Sequence, residues 1–240
     1  MTQSLAIITG TSSGIGASLA AQLLSKQWLV FGISRREVNF SDANYMHILA
    51  DLADPAALTA LSSRIEAELA FRSIDRFALV NNAATPGQRR AFGDQNLNAT
   101  YQNIAVNLAA PMALMDLAIR LRPEESSLRI VNVSSGLAYR PLAATADYCA
   151  SKAGLHMAGE VLAEEHHPST AVLSYAPGIV DTEMQQTLRG ESEQDFPSVE
   201  VFKAMFDEGR LAEADDVTGP IIRFLEDDEA SGFSTERYEP

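Results

Sequence analysis

The sequence has a single cysteine, Cys149, and four histidines. One thiol cannot form an internal disulfide bond, which excludes the disulfide-rich secreted folds and is typical of proteins from a reducing cytoplasm. The cysteine and the histidines do not follow the ligand spacing of a zinc site. We therefore expect a cytoplasmic protein without a bound metal.

Basic residues are scarce as well. Lysine and arginine total 18 against 32 aspartates and glutamates, and the net charge of −14 argues against a nucleic-acid-binding protein, whose surface is normally basic. No apolar run approaches the roughly 20 residues of a membrane-spanning helix. The N-terminal segment lacks the basic region of a signal peptide. We expect neither a nucleic acid nor a membrane among the partners.

Short apolar, β-rich runs alternate with segments of helical period. The predicted strands cover residues 5–9, 28–34, 45–49, 77–81, 129–133, 171–175 and 232–238. The main predicted helices cover residues 15–26, 55–71, 99–120, 145–165 and 212–226. This alternation favours a Rossmann-type α/β fold, a doubly wound parallel sheet with helices on both faces. Residues 35–44 are too few and too polar for a full helix, and we expect a loop there.

No linker, repeat or low-complexity tract divides the chain, so residues 1–240 are predicted to form a single domain. Residues 181–210 differ in texture, because they combine Gly, Ser, Pro and many charges with two short helical segments at 182–188 and 198–208. A long, weakly patterned insert in a compact domain is commonly a functional lid or a disordered segment. We predict a lid over a substrate site.

The first predicted strand ends in TGTSSGIG, residues 9–16, and leads directly into a helix. Glycines in such a turn allow close approach of the backbone to a ligand, and the helix N-terminus offers free N–H donors to an anion. Simple turn chemistry would also explain three glycines. In nucleotide-binding folds the turn holds a phosphate, and the residues predicted to line it are Gly10, Ser12, Ser13, Gly14, Ile15 and Gly16.

The second predicted strand ends in FGISRR, where NAD-binding folds usually carry an acid for the ribose 2′-hydroxyl. Here Ser34, Arg35 and Arg36 precede the first carboxylate, Glu37. A guanidinium can hold a 2′-phosphate through two hydrogen bonds. We therefore predict NADP(H) as the cofactor, with Arg35 favoured over Arg36, although arginines on a loop can also be merely solvated.

The stretch DYCASK, residues 147–152, places Tyr148 one helical turn before Lys152. Side chains four residues apart on a helix lie on the same face. The phenol and the ammonium each normally keep their proton to about pH 10. Either the pair is an accident of a helix surface, or the ammonium serves to make the phenol more acidic.

Several motifs occur together in a defined order: TGTSSGIG at 9–16, NNAA at 81–84, Asn107, SSG at 134–136, YCASK at 148–152 and YAPGIVDT at 175–182. In this order and spacing they resemble the short-chain dehydrogenase/reductase family along nearly the whole chain. The segments LSYAPGIVDTEMQQ at 173–186 and SGFSTERYE at 231–239 are similar to sepiapterin reductases and their bacterial relatives. Those enzymes reduce pterin side-chain ketones with NADPH, and some bacterial relatives reduce diketones such as benzil.

The resemblance implies a catalytic set of four residues. Tyr148 would give a proton to the substrate oxygen, where negative charge builds up as hydride arrives. Lys152 would lower the pKa of Tyr148 by its positive charge and would bond the nicotinamide ribose. Ser135, preferred to its neighbour Ser134, would bond the substrate oxygen. Asn107 would bend its helix and hold a water for proton transfer.

The resemblance also implies contacts with NADP(H) beyond the glycine turn. The adenine and its ribose would lie near the ends of the third and fourth strands, and the nicotinamide near the end of the sixth. The residues concerned are Ser34, Arg35, Asp51, Leu52, Asn81, Ala83, Tyr148, Lys152, Pro177, Gly178, Ile179 and Thr182. Ala84 departs from the NNAG of the family, which makes the loop that follows harder to predict.

For the substrate, the resemblance implies a small carbonyl compound in contact with Ser135, Tyr148, Met184 and Glu236, the last at the position of a pterin-anchoring carboxylate. It also implies a homodimer, with a tetramer as the alternative, joined through the helices that carry Asn107 and Tyr148. The favoured function is an NADPH-dependent reductase of a pterin side-chain ketone or a small diketone. The alternatives are a reductase of another substrate class and a catalytically idle NADP-binding redox sensor.

Overall fold

The computed structural model describes residues 3–239. Its strands form one seven-stranded sheet in the order β3-β2-β1-β4-β5-β6-β7, and every neighbouring pair is parallel. The strands are β1 (Gln3–Thr9), β2 (Leu29–Ser34), β3 (Tyr45–Leu49), β4 (Ile74–Asn81), β5 (Ser127–Val133), β6 (Thr170–Ala176) and β7 (Gly232–Arg237). The strand order reverses between β1 and β4, and in such sheets ligands bind at the carboxyl ends beside that point.

Eight helices connect the strands within residues 3–239 and cover both faces of the sheet. They are α1 (Gly14–Ser25), α2 (Pro55–Leu69), α3 (Leu97–Ile104), α4 (Ala110–Leu121), α5 (Ala146–Glu164), α6 (Glu183–Arg189), α7 (Val199–Asp207) and α8 (Gly219–Glu226). One core cluster joins the sheet to α2, α4 and α5, and a second joins it to α1 and α8. The predicted doubly wound α/β fold is thereby confirmed.

Side-chain alternation along the strands builds these two cores. On β1, Leu5 and Ile7 belong to the cluster beneath α2, α4 and α5, whereas Ala6 and Ile8 belong to the cluster beneath α1 and α8. Strands buried on both faces read as continuous apolar runs rather than as alternating ones. That is why apolar runs in the sequence located the central strands to within a few residues, whereas β7, at the edge of the sheet, is largely exposed.

The last helix is shorter than predicted, because α8 begins at Gly219 and not near residue 212. The backbone of Ala212 pairs instead with the segment after β6: its N–H donates to the Ile179 carbonyl oxygen, and its carbonyl accepts from the Asp181 N–H. A residue paired in this way cannot also take part in a helix. Residues 35–44 form a loop, as predicted.

The continuous helix Leu97–Leu121 is long and apolar enough to cross a membrane, judged by length and composition alone. No apolar stretch of that length was expected from the sequence. The side chains on the inner face of α4 (Ala110, Leu114, Met115, Leu117 and Ala118) are buried in the core cluster against the sheet. A core helix of this kind passes the same test, so the helix gives only weak support for a membrane span.

Between α3 and α4 the helix widens into a π-turn over Ala105–Ala109, with Asn107 at its centre. The Asn107 side chain is fully buried. Its amide oxygen accepts from the Thr85 N–H at 2.8 Å, and its Nδ2 donates to the Thr85 carbonyl at 2.9 Å and to Ser151 Oγ at 3.3 Å. Single π-turns inside helices often occur at functional sites. Here the π-turn ties the loop after β4 to α5.

Replacing Asn107 by alanine should destabilise the protein. The change removes three hydrogen bonds of a fully buried side chain, among them the bond to the Thr85 N–H, so the free energy of unfolding should fall by about 2–4 kcal/mol. Urea denaturation measures this value. Asn98→Ala is the control, because Asn98 lies exposed on the same helix and its loss should change the free energy by no more than about 0.5 kcal/mol. Equal effects of the two substitutions would contradict the assignment.

Candidate active site

The turn between β1 and α1 exposes backbone rather than side chains. Gly10 and Gly14 adopt φ angles of 79° and 55°, in the region that favours glycine. A Cβ at Gly16 would lie 2.3 Å from the Gly10 carbonyl oxygen, so no side chain fits there. Ser13, at the N-cap of α1, makes no capping bond. The backbone at this helix start is therefore suited to bind an anion, and the cradle fits the phosphates of a dinucleotide.

Arg36, and not Arg35, lies at this turn. The Arg36 guanidinium donates to Ser12 Oγ and to Ser13 Oγ, the latter at 3.0 Å, and it pairs with Glu183 at 3.1 Å. Arg35 is exposed and makes no side-chain hydrogen bond within residues 3–239. The chain turns after Ser34, whose hydroxyl donates to the Arg36 carbonyl. The preference for Arg35 at a 2′-phosphate stays a prediction, although Arg36 is the arginine that contacts the glycine turn.

The end of β4 is held by Asn82, which was not among the predicted site residues. Its Nδ2 donates to the Thr9 carbonyl at 2.9 Å, and Thr9 Oγ1 accepts from the N–H groups of Asn82 and Ala83. Asn81, predicted at the ribose, lies instead inside the sheet and donates to Asn132 Oδ1 at 2.9 Å. Adjacent residues of a strand point to opposite sides, which explains why Asn82 and not Asn81 contacts the end of β1. Ala83, also predicted at the ribose, lies next to Gly10.

At the end of β3, the two residues predicted at the adenine differ in exposure. Asp51 is exposed, and its carboxylate accepts from the Ala53 N–H at 3.0 Å. Leu52 belongs to the core cluster under α2, so little of its surface remains for a ligand. Asp51 is therefore the more accessible of the pair.

The segment after β6 leads from the sheet to the glycine turn and the lid. Pro177 is buried, and Gly178 has a φ of 77°. The Ile179 carbonyl accepts from Ala212. The Thr182 side chain lies against Gly14, since a Cβ on that glycine would be 3.1 Å from the Thr182 methyl. The structure thereby brings the predicted nicotinamide contacts beside the predicted phosphate site.

The predicted lid contains α6 and α7. Phe196, between them, is buried with Leu188 and Val199 in a small cluster of its own, and Leu142 packs against it. Met184 is partly buried on α6. The lid is thus a packed element anchored over the loop after β5.

Three members of the predicted catalytic set meet at the carboxyl end of β5. Tyr148 lies in the first turn of α5, and Ser135, which follows β5, is near enough to its side chain to oppose the rise in the pKa of the phenol. The Lys152 Nζ donates to the Val133 carbonyl at 2.7 Å and lies 5.8 Å from the centre of the Tyr148 ring. Asn107 is joined to the same helix through Ser151. The tyrosine–lysine pair faces the interior and is no surface accident.

Burial dominates the ionisation of this group. It raises the pKa of the Tyr148 phenol, against the opposing effects of the Ser135 hydrogen bond and the Arg89 charge. Burial also lowers the pKa of Lys152 to about 8. The expected effect of Lys152 on the pKa of Tyr148 stays a prediction, because burial is the largest cause acting on each of the two groups. A buried ammonium is itself costly, and Arg89 places a second positive charge near the phenol.

Arg89 was not foreseen. It lies in the loop after β4 and is only 6% exposed, with its guanidinium carbon 5.8 Å from the centre of the Tyr148 ring and 5.5 Å from that of Phe196. Both separations are within the range of cation–π contacts. The loop has no periodic pattern that would have indicated a buried arginine.

Glu236 does not reach the catalytic group. It pairs with Tyr175 across β6 and β7, and Tyr175 belongs to the core cluster of α8. Ser174, the preceding residue, faces α5, where its hydroxyl bonds to His156. Glu236 therefore points to the α8 side, where it pairs with Arg223 at 3.1 Å. The prediction of a substrate anchor at this position is wrong, because the register places the carboxylate on the other face from α5.

Comparison with known proteins matches residues 4–193 to the family model described as short chain dehydrogenase. A benzil reductase that forms (S)-benzoin, from Bacillus cereus, is 31% identical over 235 residues, which are 93% of this chain and 94% of that protein. The sepiapterin reductase of Mus musculus is 33% identical over 78% of each chain. A crystal structure of a short-chain dehydrogenase/reductase from Saccharomyces cerevisiae shares the fold, with a TM-score of 0.83, 24% identity and coverage of 99% and 96%.

Lys152 makes the stability of the cofactor-free protein depend on pH. Its pKa is about 8 in the folded chain and about 10.4 when unfolded, so unfolding takes up a proton between these values. The free energy of unfolding should therefore rise as the pH increases from about 8 to about 10. Lys152→Met removes the buried charge, and we expect it to be more stable than the wild type below about pH 8, by about 2 kcal/mol after the loss of one hydrogen bond.

Urea unfolding at about pH 7 and about pH 9.5 measures the difference, which should shrink at the higher pH. The control is Lys203→Met, since Lys203 lies at the surface in a pair with Glu200 and its replacement should show no comparable pH dependence. A wild type more stable than Lys152→Met at neutral pH would rule out the assignment.

Proposed function

The chain belongs to the short-chain dehydrogenase family, and from this premise we propose that it is an NADPH-dependent carbonyl reductase acting on a small diketone. The observation that carries the proposal is the meeting of Ser135, Tyr148 and Lys152 at the end of β5. This group lies on the same edge of the sheet as the glycine turn. The hydride donor and the proton donor of a carbonyl reduction need such neighbouring positions, because both act on the same carbonyl group.

NADPH would be held by the turn at Gly10–Gly16, by Thr182 and by Arg36. When bound, it supplies the hydride. For the 2′-phosphate, Arg36 offers a guanidinium beside two serine hydroxyls, an arrangement suited to a phosphate. The phosphate would compete with Glu183 for that guanidinium.

Tyr148 would donate the phenolic proton to the carbonyl oxygen, and Ser135 would orient that oxygen by a second hydrogen bond. Lys152 is suited to return a proton to the phenolate, because a pKa near 8 allows it to exchange protons close to neutral pH. Asn107 would extend this path by holding a water near Ser151.

For the substrate, a diketone is preferred to a pterin. The relatives named above include a benzil reductase and a sepiapterin reductase, at 31% and 33% identity. The carboxylate proposed for the pterin, Glu236, is paired with Arg223 on the α8 side. A pterin side-chain ketone is therefore the second candidate.

The chain should form a homodimer through α4 and α5. Met112, Met157 and Val161 are exposed on these helices, each to about half, and beside them lies a groove lined largely by apolar residues of the same two helices. Apolar faces of this kind commonly become buried in symmetric pairs. Light scattering should report a dimer or tetramer, and a stable monomer would contradict this part of the proposal.

Removal of the phenolic hydroxyl tests the reaction itself. Tyr148→Phe keeps the ring but not the proton donor, so kcat for NADPH-dependent reduction of benzil should fall by about 100- to 10,000-fold. NADPH binding, followed by fluorescence, should change little. Tyr101→Phe is the control, since Tyr101 is exposed on α3 and its replacement should leave kcat unchanged. A fully active Tyr148→Phe would overturn the proposal, as would a wild type that binds NADPH but reduces no carbonyl.

Cofactor preference depends on which arginine meets the 2′-phosphate. Arg36→Ala should raise KM for NADPH by about 10- to 100-fold, the value of a charge-assisted hydrogen bond, and should leave KM for NADH nearly unchanged. Arg35→Ala is the matched control at the adjacent position and should have a much smaller effect. Steady-state kinetics with both cofactors decides, and a larger loss in Arg35→Ala would contradict the geometry.

A further inference from the structure

Arg89 is a buried cation with few partners. Among residues 3–239, no carboxylate lies within ion-pair distance of it. Its one hydrogen bond, from Nη1 to the Gln88 carbonyl, is long at 3.3 Å, and its buried Nε has no partner in the described chain. A guanidinium keeps its charge in proteins, and a buried charge without a partner is costly.

Glu191 acts on the charge of Arg89 without forming an ion pair with it, and the acid with the larger effect, Asp147, does not supply the missing partner either. Its two carboxylate oxygens accept from backbone: Oδ1 from the Tyr148 N–H at 2.8 Å and Oδ2 from the Gln88 N–H at 3.1 Å. These bonds hold the loop against the start of α5. The Asp147 carboxylate thus holds in place the loop that carries Arg89, but it makes no ion pair with the Arg89 guanidinium.

Arg129 shows what a structural buried arginine looks like in the same protein. It is buried to a similar degree, but its guanidinium donates to the carbonyl oxygens of Leu128, Ser169, Asp227 and Asp228. Its donors are therefore used to join segments of the fold. The donors of Arg89 are not used in this way.

The position of Arg89 assigns it to the substrate side of Tyr148. Its guanidinium lies near the Tyr148 ring and near Phe196, a residue of the lid. The next residue, Arg90, pairs with Asp195 of the lid, which fastens the loop to the lid. The phosphate turn meets the lid elsewhere, through Thr182.

We propose that Arg89 binds a carboxylate of the substrate, so that the enzyme reduces the ketone of a short oxo acid. A guanidinium and a carboxylate form a bidentate pair. A substrate carboxylate would therefore give the Arg89 guanidinium the hydrogen-bond acceptors and the negative charge that it lacks in the folded chain. The closeness of Arg89 to Tyr148 places the carboxylate near the reacting carbonyl, as in a 2-oxo or 3-oxo acid. This inference rests on the proposed reductase activity and adds short oxo acids to the small diketones as substrates of the same site.

The test compares benzoylformate with its methyl ester, which differ in one negative charge beside the same ketone. The wild type should reduce the acid with a kcat/KM at least about 10-fold above that of the ester. Arg89→Met should lower kcat/KM for the acid by about 100-fold, mainly through KM, and should change the value for the ester by less than about 3-fold. Arg89→Lys, which keeps the charge but not the fork, should recover part of the loss.

Arg90→Met is the matched control. Arg90 is the adjacent residue, with a surface ion pair to Asp195, and its loss should leave the ratio of acid to ester unchanged. If Arg89→Met fails to fold, the wild-type ratio of kcat/KM for the acid to kcat/KM for the ester still tests the inference. A wild type that reduces ester and benzil but does not prefer the acid overturns this inference alone.

An equal loss on acid and ester in Arg89→Met also overturns the inference, and it would make Arg89 a residue that positions or charges Tyr148. Failure of the wild type to reduce acid, ester or benzil would overturn the proposed reductase as well. The three results are distinguishable in a single set of assays.

Discussion

A phenol close to two buried cations is the constraint on which the active site depends. Lys152 and Arg89 each lie 5.8 Å from the centre of the Tyr148 ring, and they are only 3% and 6% exposed. Burial raises the pKa of the phenol, while positive charge nearby favours the phenolate. The pKa of Tyr148 therefore depends on a balance between desolvation, which raises it, and nearby positive charge, which lowers it. A ligand that changes the burial of the phenol or the charge around it should change this pKa.

The fold supplies this balance through the parallel sheet. All seven strands end at one edge, so segments far apart in the chain meet there: the glycine turn after β1, the loop with Arg89 after β4, Ser135 after β5 and the lid after β6. The π-turn at Asn107 links the loop after β4 to α5. The chain as a whole carries a charge of −14, which repels anions. Binding of an anion therefore depends on hydrogen-bond donors and positive charges at this edge of the sheet rather than on the overall field.

The sequence predicted the fold and much of the site, because both depend on local patterns. Buried strands appear as apolar runs, a phosphate turn needs glycine, and the spacing of Tyr148 and Lys152 places them on one helix face. It did not predict features that depend on orientation: Arg36 contacts the glycine turn, strand alternation turns Glu236 to the α8 side, and the start of α8 depends on a distant backbone pairing. No local sequence pattern indicates that Arg89 is buried, because its burial arises only when the lid packs over its loop.

The most direct test of the central claim is the pKa of the Tyr148 phenol, measured by NMR titration with isotopically labelled tyrosine and assigned with Tyr148→Phe. In the cofactor-free protein the account predicts a pKa above the ordinary tyrosine value of about 10, which falls when Lys152 and Arg89 are joined by the positive charge of NADP⁺. A phenol that titrates at or below the ordinary value without cofactor, and does not respond to NADP⁺, would contradict it.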